Sequence, residues 1–293
     1  MNDAPLLPPR RRFGQHFLHD PGILRRIVAA IDPAPDDVLV EIGPGRGALT
    51  QFLLERTDHL TVVELDRDLL AGLHRLAPAE RLTIHGADAL RFDFTQCLPA
   101  TPAFSQEGPS PASPPQVAPR LRVVGNLPYN ISTPLLFHLL EQASVIQDMH
   151  FLLQKEVVDR LAAAPGSKAY GRLTVMIGAR AEVTPLFTVG PGAFHPPPKV
   201  NSALVRLRLY PASRVPPTAE ATFRGLVGQA FSQRRKTLRR ALAGWLDSDV
   251  LAAVGIDEQR RPDTLTVEDY IALAVALNQA VPNLPTRPEE LPA

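Results

Sequence analysis

VLVEIGPGRGAL, Val38 to Leu49, passes from an apolar run through a glycine-rich turn into a helix-like segment. Glycines at such a junction allow a tight turn and let backbone N–H groups approach a ligand at a helix N-terminus. Apolar runs of the same kind recur as LTVVEL (Leu60 to Leu65), LTIHGAD (Leu82 to Asp88), LRVVGN (Leu121 to Asn126) and DMHFLLQ (Asp148 to Gln154). Helical candidates at Ala48 to Arg56, Asp66 to Leu76 and Pro134 to Glu141 lie between them. This alternation predicts βαβ units, hence an α/β doubly wound, mainly parallel sheet with helices on both faces. AEVTPLF and the alternating NSALVRLRLY (Asn201 to Tyr210) add edge strands. After Pro211 to Glu220 the apolar spacing is helical only, in ATFRGLVGQAF and VEDYIALAVALNQ. The expected organisation is a ligand-binding domain over residues 1–210 and a small all-helical domain over 211–293. One segment breaks the rhythm: Pro99 to Pro119 holds seven prolines in 21 residues, and is expected to be a mobile surface excursion.

With 293 residues, 45% of them hydrophobic, the chain has material for a substantial core. The single Cys97 excludes an internal disulfide and fits a reducing compartment. Eight histidines are scattered without metal-ligand spacing, His16 and His19 alone being close, and no metal is expected. No apolar run approaches ~18 residues, and the N-terminus lacks the apolar core of a signal peptide. The expected location is the cytoplasm. Net charge is only +1, but it is unevenly placed. Arg10 to Arg12 open the chain, and RRKTLRR (Arg234 to Arg240) puts five cations into seven residues without an acid. Solvated helix faces usually mix signs, so Arg234, Arg235, Lys236, Arg239 and Arg240 are candidates for phosphate contact.

Gly43, Gly45 and Ala48 satisfy a G-x-G-x-x-A dinucleotide fingerprint, which keeps a nicotinamide enzyme as a rival reading. Glu64, about twenty residues on, closes the second strand, where a carboxylate can accept both hydrogen bonds of a ribose diol. Both cofactor classes want that acid. Asp88, at the end of the third strand, either accepts a bond from the exocyclic amine of an adenine or caps the following turn. A dehydrogenase also needs a proton-transfer residue near its nicotinamide, and no such His, or Tyr with a Lys four residues later, follows the strands. The fourth strand instead ends in Asn126, followed by Leu127, Pro128 and Tyr129.

That ending has its own chemistry. An adenine N6 amine is a poor nucleophile because its lone pair is delocalised into the ring. Two acceptors turned out of the ring plane localise that lone pair toward an incoming methyl group. The side-chain oxygen of Asn126 and the backbone carbonyl of Leu127, fixed by Pro128, are suited to this. Tyr129 offers a ring for stacking, worth ~1–3 kcal/mol per base. As a bare tetrapeptide NLPY is an ordinary turn. Its place after the glycine turn, Glu64 and Asp88, in that order, favours the catalytic reading.

The chain resembles the ribosomal RNA adenine dimethyltransferases, through RRFGQHFLHD, EIGPGRGALT, VVELDRDL, GADAL, NLPYNISTPLL, LLQKEVVDRL, FHPPPKVNSALVRL and FSQRRKTLRRAL. These stretches cover most of the chain. The resemblance implies S-adenosyl-L-methionine as cofactor, in a Rossmann-like methyltransferase sheet, held by His16, Leu18, Gly43, Glu64, Asp88 and Asn126. It implies that NLPY holds the target base and that Phe194 faces Tyr129 across it. FHPPPKV is a stiff polyproline segment that fixes Phe194 in one direction, core packing being the alternative. The base must leave its stack to enter such a pocket. The chain departs from the family pattern in carrying His16 where asparagine is common, Asn201 where aspartate is common, and a longer proline-rich excursion.

The implied activity is N6,N6-dimethylation of two adjacent adenines near the 3′ end of 16S rRNA, in the small ribosomal subunit or its precursor, by a monomer with a role in subunit biogenesis. Transfer is direct and in line, through positioning and desolvation, without a covalent enzyme intermediate or a strong base. The rivals are the nicotinamide oxidoreductase, a large-subunit rRNA methylase of the antibiotic-resistance type, and a non-catalytic RNA-binding assembly factor.

Overall fold

Five parallel strands form where the apolar runs predict them: β2 (Val38–Ile42), β3 (Leu60–Val63), β4 (Leu82–His85), β5 (Leu121–Asn126) and β6 (Ile146–Gln154). Between the first and last of these lie α2 (Ala48–Leu54), α3 (Arg67–Leu73) and α4 (Ser132–Glu141). The computed structural model describes residues 15–99, 119–246 and 248–280. Arg10 to Arg12, and all but the two ends of the proline-rich segment 99–119, lie outside the described residues.

Strands β2, β3 and β5 are nearly continuous runs of buried residues, as a sheet covered on both faces requires. The two expected edge strands are β7 (Ala181–Val189) and β9 (Ser202–Leu209), and β9 runs antiparallel to β6. The seven-stranded order is β4-β3-β2-β5-β6-β9-β7. From β2 the chain winds outward through β3 and β4, then returns to β5 on the other side. That reversal opens a crevice at the carboxyl ends of β2 and β5, the position at which open α/β sheets bind ligands.

Helix α1 (Pro21–Ile31) packs on this sheet through Leu24, Ile27, Val28 and Ile31, the i, i+3, i+4, i+7 stripe of an amphipathic helix. Asp20 caps it, accepting from the N–H groups of Gly22 and Ile23 at 2.8 and 3.0 Å, with Pro21 in the first turn. Ahead of it, β1 (Phe17–Leu18) pairs antiparallel with β8 (Phe194–His195) in a two-stranded ladder. Both strands are too short for periodicity to reveal them.

The chain divides into two compact units that are not consecutive stretches. One comprises Met1–Lys155 and Pro185–Arg208, the other Glu156–Thr184 and Leu209–Ala293. Residue 210 therefore lies beside only one of the places where the chain passes between units. The segment 156–184, read from the sequence as part of the first domain, clusters with the C-terminal helices. Most of α5 (Lys155–Leu161) and all of α6 (Arg172–Gly178) belong there with α7 (Glu220–Ser232), α8 (Leu238–Ala241), α9 (Ser248–Ala253) and α10 (Val267–Ala280). Helix α7 buries Phe223, Leu226, Val227 and Ala230, and α10 buries Tyr270, Leu273, Ala274 and Leu277, so two 3.6-residue stripes face each other. Among the described residues, no helix is long and apolar enough to cross a membrane.

One buried group gives the fold a pH limit. His150, at the centre of β6, is 2% exposed, and neither ring nitrogen has a hydrogen-bond partner. Burial pushes its pKa down from 6.5 to about 4; Asp148 opposes the fall, and Arg122 and Arg206 add to it. The unfolded chain takes up this proton near pH 6.5, whereas the native state refuses it until about pH 4. His150 therefore costs no stability above pH 6.5, and its contribution is lost as pH falls through that window. Denaturant melts of His150→Leu at pH 7 and pH 4.5 should show an acid loss smaller than wild type's by roughly 2.5 kcal/mol. Equal losses would remove His150 as the cause.

Candidate active site

A cavity of about 620 Å³ opens at the carboxyl ends of β2, β3 and β5 and extends past the end of β4 to Asp88. Its size suits a nucleoside-sized ligand. The glycine turn forms one wall, with Gly43, Gly45 and Gly47 all at positive φ. At Gly45 the constraint is also spatial, since an added Cβ would sit 3.0 Å from the ring of Phe17, over which the Arg46 guanidinium lies at 4.4 Å.

Glu64, 7% exposed, braces this turn: Oε2 accepts from Gly45 N at 3.0 Å and Oε1 from Asp66 N at 2.8 Å. Burial pushes its pKa up, and these two N–H groups pull it back down. The sequence reading gave both oxygens to a ribose diol. In the structure each already holds a backbone donor, but each carboxylate oxygen has a second lone pair, and the same bonds orient the group. Asp88 shows that its two readings are compatible. Its Oδ1 accepts from Leu90 N at 3.0 Å, capping the turn, while Oδ2 meets no donor among the described residues.

Asn126 ends β5 in the same cavity. Its Nδ2 donates to the His16 carbonyl at 2.9 Å. Because a carbonyl can only accept, this contact decides which way the amide points and leaves Oδ1 as the acceptor. Gly125 lets the strand come this close, since a Cβ there would lie 2.5 Å from the Ile42 carbonyl oxygen. Leu127 N donates to Leu152 O at 3.2 Å, and among the described residues nothing donates to the Leu127 carbonyl. The corner is held further by Ile131 N to Pro128 O at 3.2 Å and by Ser132 Oγ to Tyr129 O at 3.0 Å. Tyr129 Oη and Ser202 Oγ are 2.7 Å apart, and the Tyr129 ring lies 5.6 Å from that of His16 at 31°. His16 Nδ1 donates to Pro196 O at 2.7 Å, so in the neutral ring Nε2 is the acceptor.

His16, Leu18, Gly43, Glu64, Asp88, Asn126, Leu127, Pro128 and Tyr129 thus line one cavity. Phe194 does not. It is 3% exposed and belongs to the hydrophobic cluster with Leu18, Leu24 and Leu49. Successive side chains of a strand point to opposite faces, so putting Phe194 into the core turns its neighbour His195 toward the cavity. In this structure the core-packing alternative holds for Phe194.

The model of the ribosomal RNA adenine dimethylase family matches residues 8–279. The chain belongs to that family. A ribosomal RNA small subunit methyltransferase A from Nitrosococcus oceani is 54% identical over 265 residues, 90% of this chain and 94% of that protein. Its counterpart from Laribacter hongkongensis is 53% identical over 266 residues, 91% and 95% of the two chains. Among solved structures, a dimethyladenosine transferase from Plasmodium falciparum superposes with a TM-score of 0.72 at 25% identity, covering 90% of this chain and 98% of that one. The 23S rRNA methyltransferase ErmE shares the fold, with a TM-score of 0.66 at 24% identity and coverage of 90% and 100%.

The dimethylase is therefore an rRNA-modifying methyltransferase, and the nicotinamide reading is set aside. Its residues fit a nucleoside cofactor: the unpartnered Asp88 Oδ2, the oriented Glu64 and the volume of the cavity agree with one another. Three cavity residues escaped the sequence reading. Glu41 sits in the middle of a strand, where an acid reads as a solvent-facing residue, and Leu65, 49% exposed, reads as the end of an apolar run. Gln15, whose amide donates to Asp66 Oδ2 at 3.1 Å, carries no motif signal beyond the family resemblance.

The cationic run looks different once folded. Arg234 forms an ion pair with Asp263 at 3.3 Å and donates to the carbonyls of Ser167 and Lys168, each at 3.0 Å. Arg239 pairs with Glu258 at 3.3 Å. The run lacks acids only in sequence, because the counter-charges arrive from residues 19 and 29 positions away. Arg235, Lys236 and Arg240 are exposed and have no ion-pair partner among the described residues. Arg234 is a structural tie, whereas the exposed Arg239 pair is too weakly coupled to withdraw that residue from other partners.

Proposed function

We propose that this chain uses S-adenosyl-L-methionine to dimethylate N6 of two adjacent adenines near the 3′ end of 16S rRNA, as a step of small-subunit biogenesis. The observation that carries the reading is the orientation of Asn126. With Nδ2 committed to the His16 carbonyl, Oδ1 points at a ligand, and the unpartnered Leu127 carbonyl supplies a second acceptor beside it. Two acceptors so placed hold the N6 hydrogens of a flipped adenine and aim its lone pair. The names of the relatives support the small subunit as the substrate.

Asp88 and Glu64 would take the adenine amine and the ribose diol of the cofactor, with His16, Leu18 and Gly43 around them. The bound cofactor supplies an electrophilic methyl group. Tyr129 supports the target base with its ring, which Ser202 keeps from rotating. As the N6–methyl bond forms, an N6 proton becomes acidic and leaves to water, so the chain needs no strong base. Closure of the crevice around the base excludes water from the reacting atoms.

Labelling with tritiated methyl cofactor tests the assignment. Purified small and large subunits lacking the modification are incubated separately, and the label is mapped by nuclease digestion. Label at two adjacent adenines near the 3′ end of 16S rRNA is expected, and label on large-subunit RNA alone overturns the reading. Arg235, Lys236, Arg239 and Arg240 are assigned to RNA backbone contact. Replacing Arg235, Lys236 and Arg240 by glutamine should reduce the slope of log affinity against log salt by about 2 to 3, since each phosphate that a cation neutralises adds about 0.7–0.9 to it. Arg234→Gln should instead lower Tm, and an unchanged salt slope in the triple variant would return these residues to a solvated face.

A further inference from the structure

Glu41 lies in β2, 2% exposed, and lines the cavity. Thr50 Oγ1 donates to its Oε2 at 2.7 Å, and among the described residues Oε1 meets no donor. A carboxylate left half-satisfied in a buried pocket is costly unless a ligand completes it. Its position says which part of a ligand that is. Along the sheet order β4-β3-β2-β5 the polar groups run Asp88, Glu64, Glu41, Asn126. Neighbouring strands are about 4.8 Å apart, so the row is about 14 Å long, the scale of an extended nucleoside cofactor. Asp88 suits the adenine amine, Glu64 the ribose diol and Asn126 the methyl acceptor. Between diol and methyl acceptor comes the sulfur with its amino-acid tail, and the tail bears an ammonium group.

Resting on the cofactor reading above, we propose that Glu41 is the group that receives the ammonium of the cofactor's amino-acid end. Burial pushes the Glu41 carboxyl up to about 8, with the Thr50 hydroxyl opposing and Glu64 adding to the rise. The other ionisable groups of the cavity are His16, His19, Arg46, Glu64, Asp88 and His195. Of these only Glu64 contributes to the shift of Glu41. At pH 7 the empty site therefore holds Glu41 as the neutral acid. An arriving ammonium favours the carboxylate, and the displaced proton goes to the buffer.

Isothermal titration at pH 7, in buffers of different ionisation enthalpy, counts that proton. The probes are S-adenosylhomocysteine, which carries the ammonium, and 5′-methylthioadenosine, which keeps adenine, ribose and sulfur but lacks the amino-acid tail. Wild type should release close to one proton with the first probe and none with the second. Glu41→Gln should release none with either, bind S-adenosylhomocysteine about tenfold or more weakly, and bind 5′-methylthioadenosine as wild type does. Equal weakening for both probes would make Glu41 a structural residue and overturn the proposal. So would wild-type binding of S-adenosylhomocysteine without proton release, a result that needs no variant and leaves the methyltransferase reading standing. Failure of wild type to bind either probe would overturn both.

Discussion

Asn126→Ala folds and binds cofactor, and transfers methyl groups at least about 100-fold more slowly than wild type, by analogy with the loss of one preorganised oxyanion donor. The expectation follows from what the side chain does in the structure. Its nitrogen is spent on the His16 carbonyl, so its oxygen is an acceptor that needs no reorganisation when the base arrives. Alanine removes that acceptor, and only one carbonyl, that of Leu127, is left to orient N6. The lost anchor to His16 should cost about 1 kcal/mol of stability, too little to unfold the protein. Single-turnover transfer of labelled methyl groups to small subunits, at saturating RNA, isolates the chemical step. A rate within a few-fold of wild type would refute the role given to Asn126.

The second large effect lies at the opposite end of the same strand. Arg122, near the start of β5, has a side chain only 11% exposed. Its guanidinium pairs with Asp37 at 2.6 Å and Asp148 at 3.1 Å, and donates to the carbonyls of Ile31 at 2.6 Å and Asp32 at 3.1 Å. One side chain thereby ties the end of α1, the approach to β2, and strands β5 and β6 together. Its burial alone would lower its pKa, but the two aspartates more than offset this and hold the charge. Arg122→Ala strands Asp37 and Asp148, along with two helix-terminal carbonyls, and should cost about 3–5 kcal/mol in denaturant melts at neutral pH. Arg122→Lys keeps the charge but loses the planar fork, so it should recover only part of the loss. A cost below about 1 kcal/mol for the alanine variant would mean that the cluster is hydrated and weak.

Much of this protein was legible along the chain because its determinants are local. The apolar runs that become β2 to β6 carry their pattern within a few residues. The glycine turn needs positive φ values that its own residues supply, and the order glycine turn, Glu64, Asp88, Asn126 follows from strand order alone. The family resemblance then named the chemistry that this order suits. What the sequence left open depends on partners far away in the chain. Asn126 acquires its orientation from a carbonyl 110 residues earlier, and Arg234 becomes a structural tie through an acid 29 residues later. Phe194 turns into the core because its strand pairs with Leu18, a ladder too short to leave a periodic signal. Segment 156–184 joins the helical unit, although its short helices sit in sequence beside the sheet strands. Glu41, in the middle of a strand, reads as a surface acid until the sheet is assembled around it. Local periodicity and turn chemistry set which element each stretch forms. Only packing decides which polar groups lose water, and therefore which are left to a ligand and which are spent on the fold.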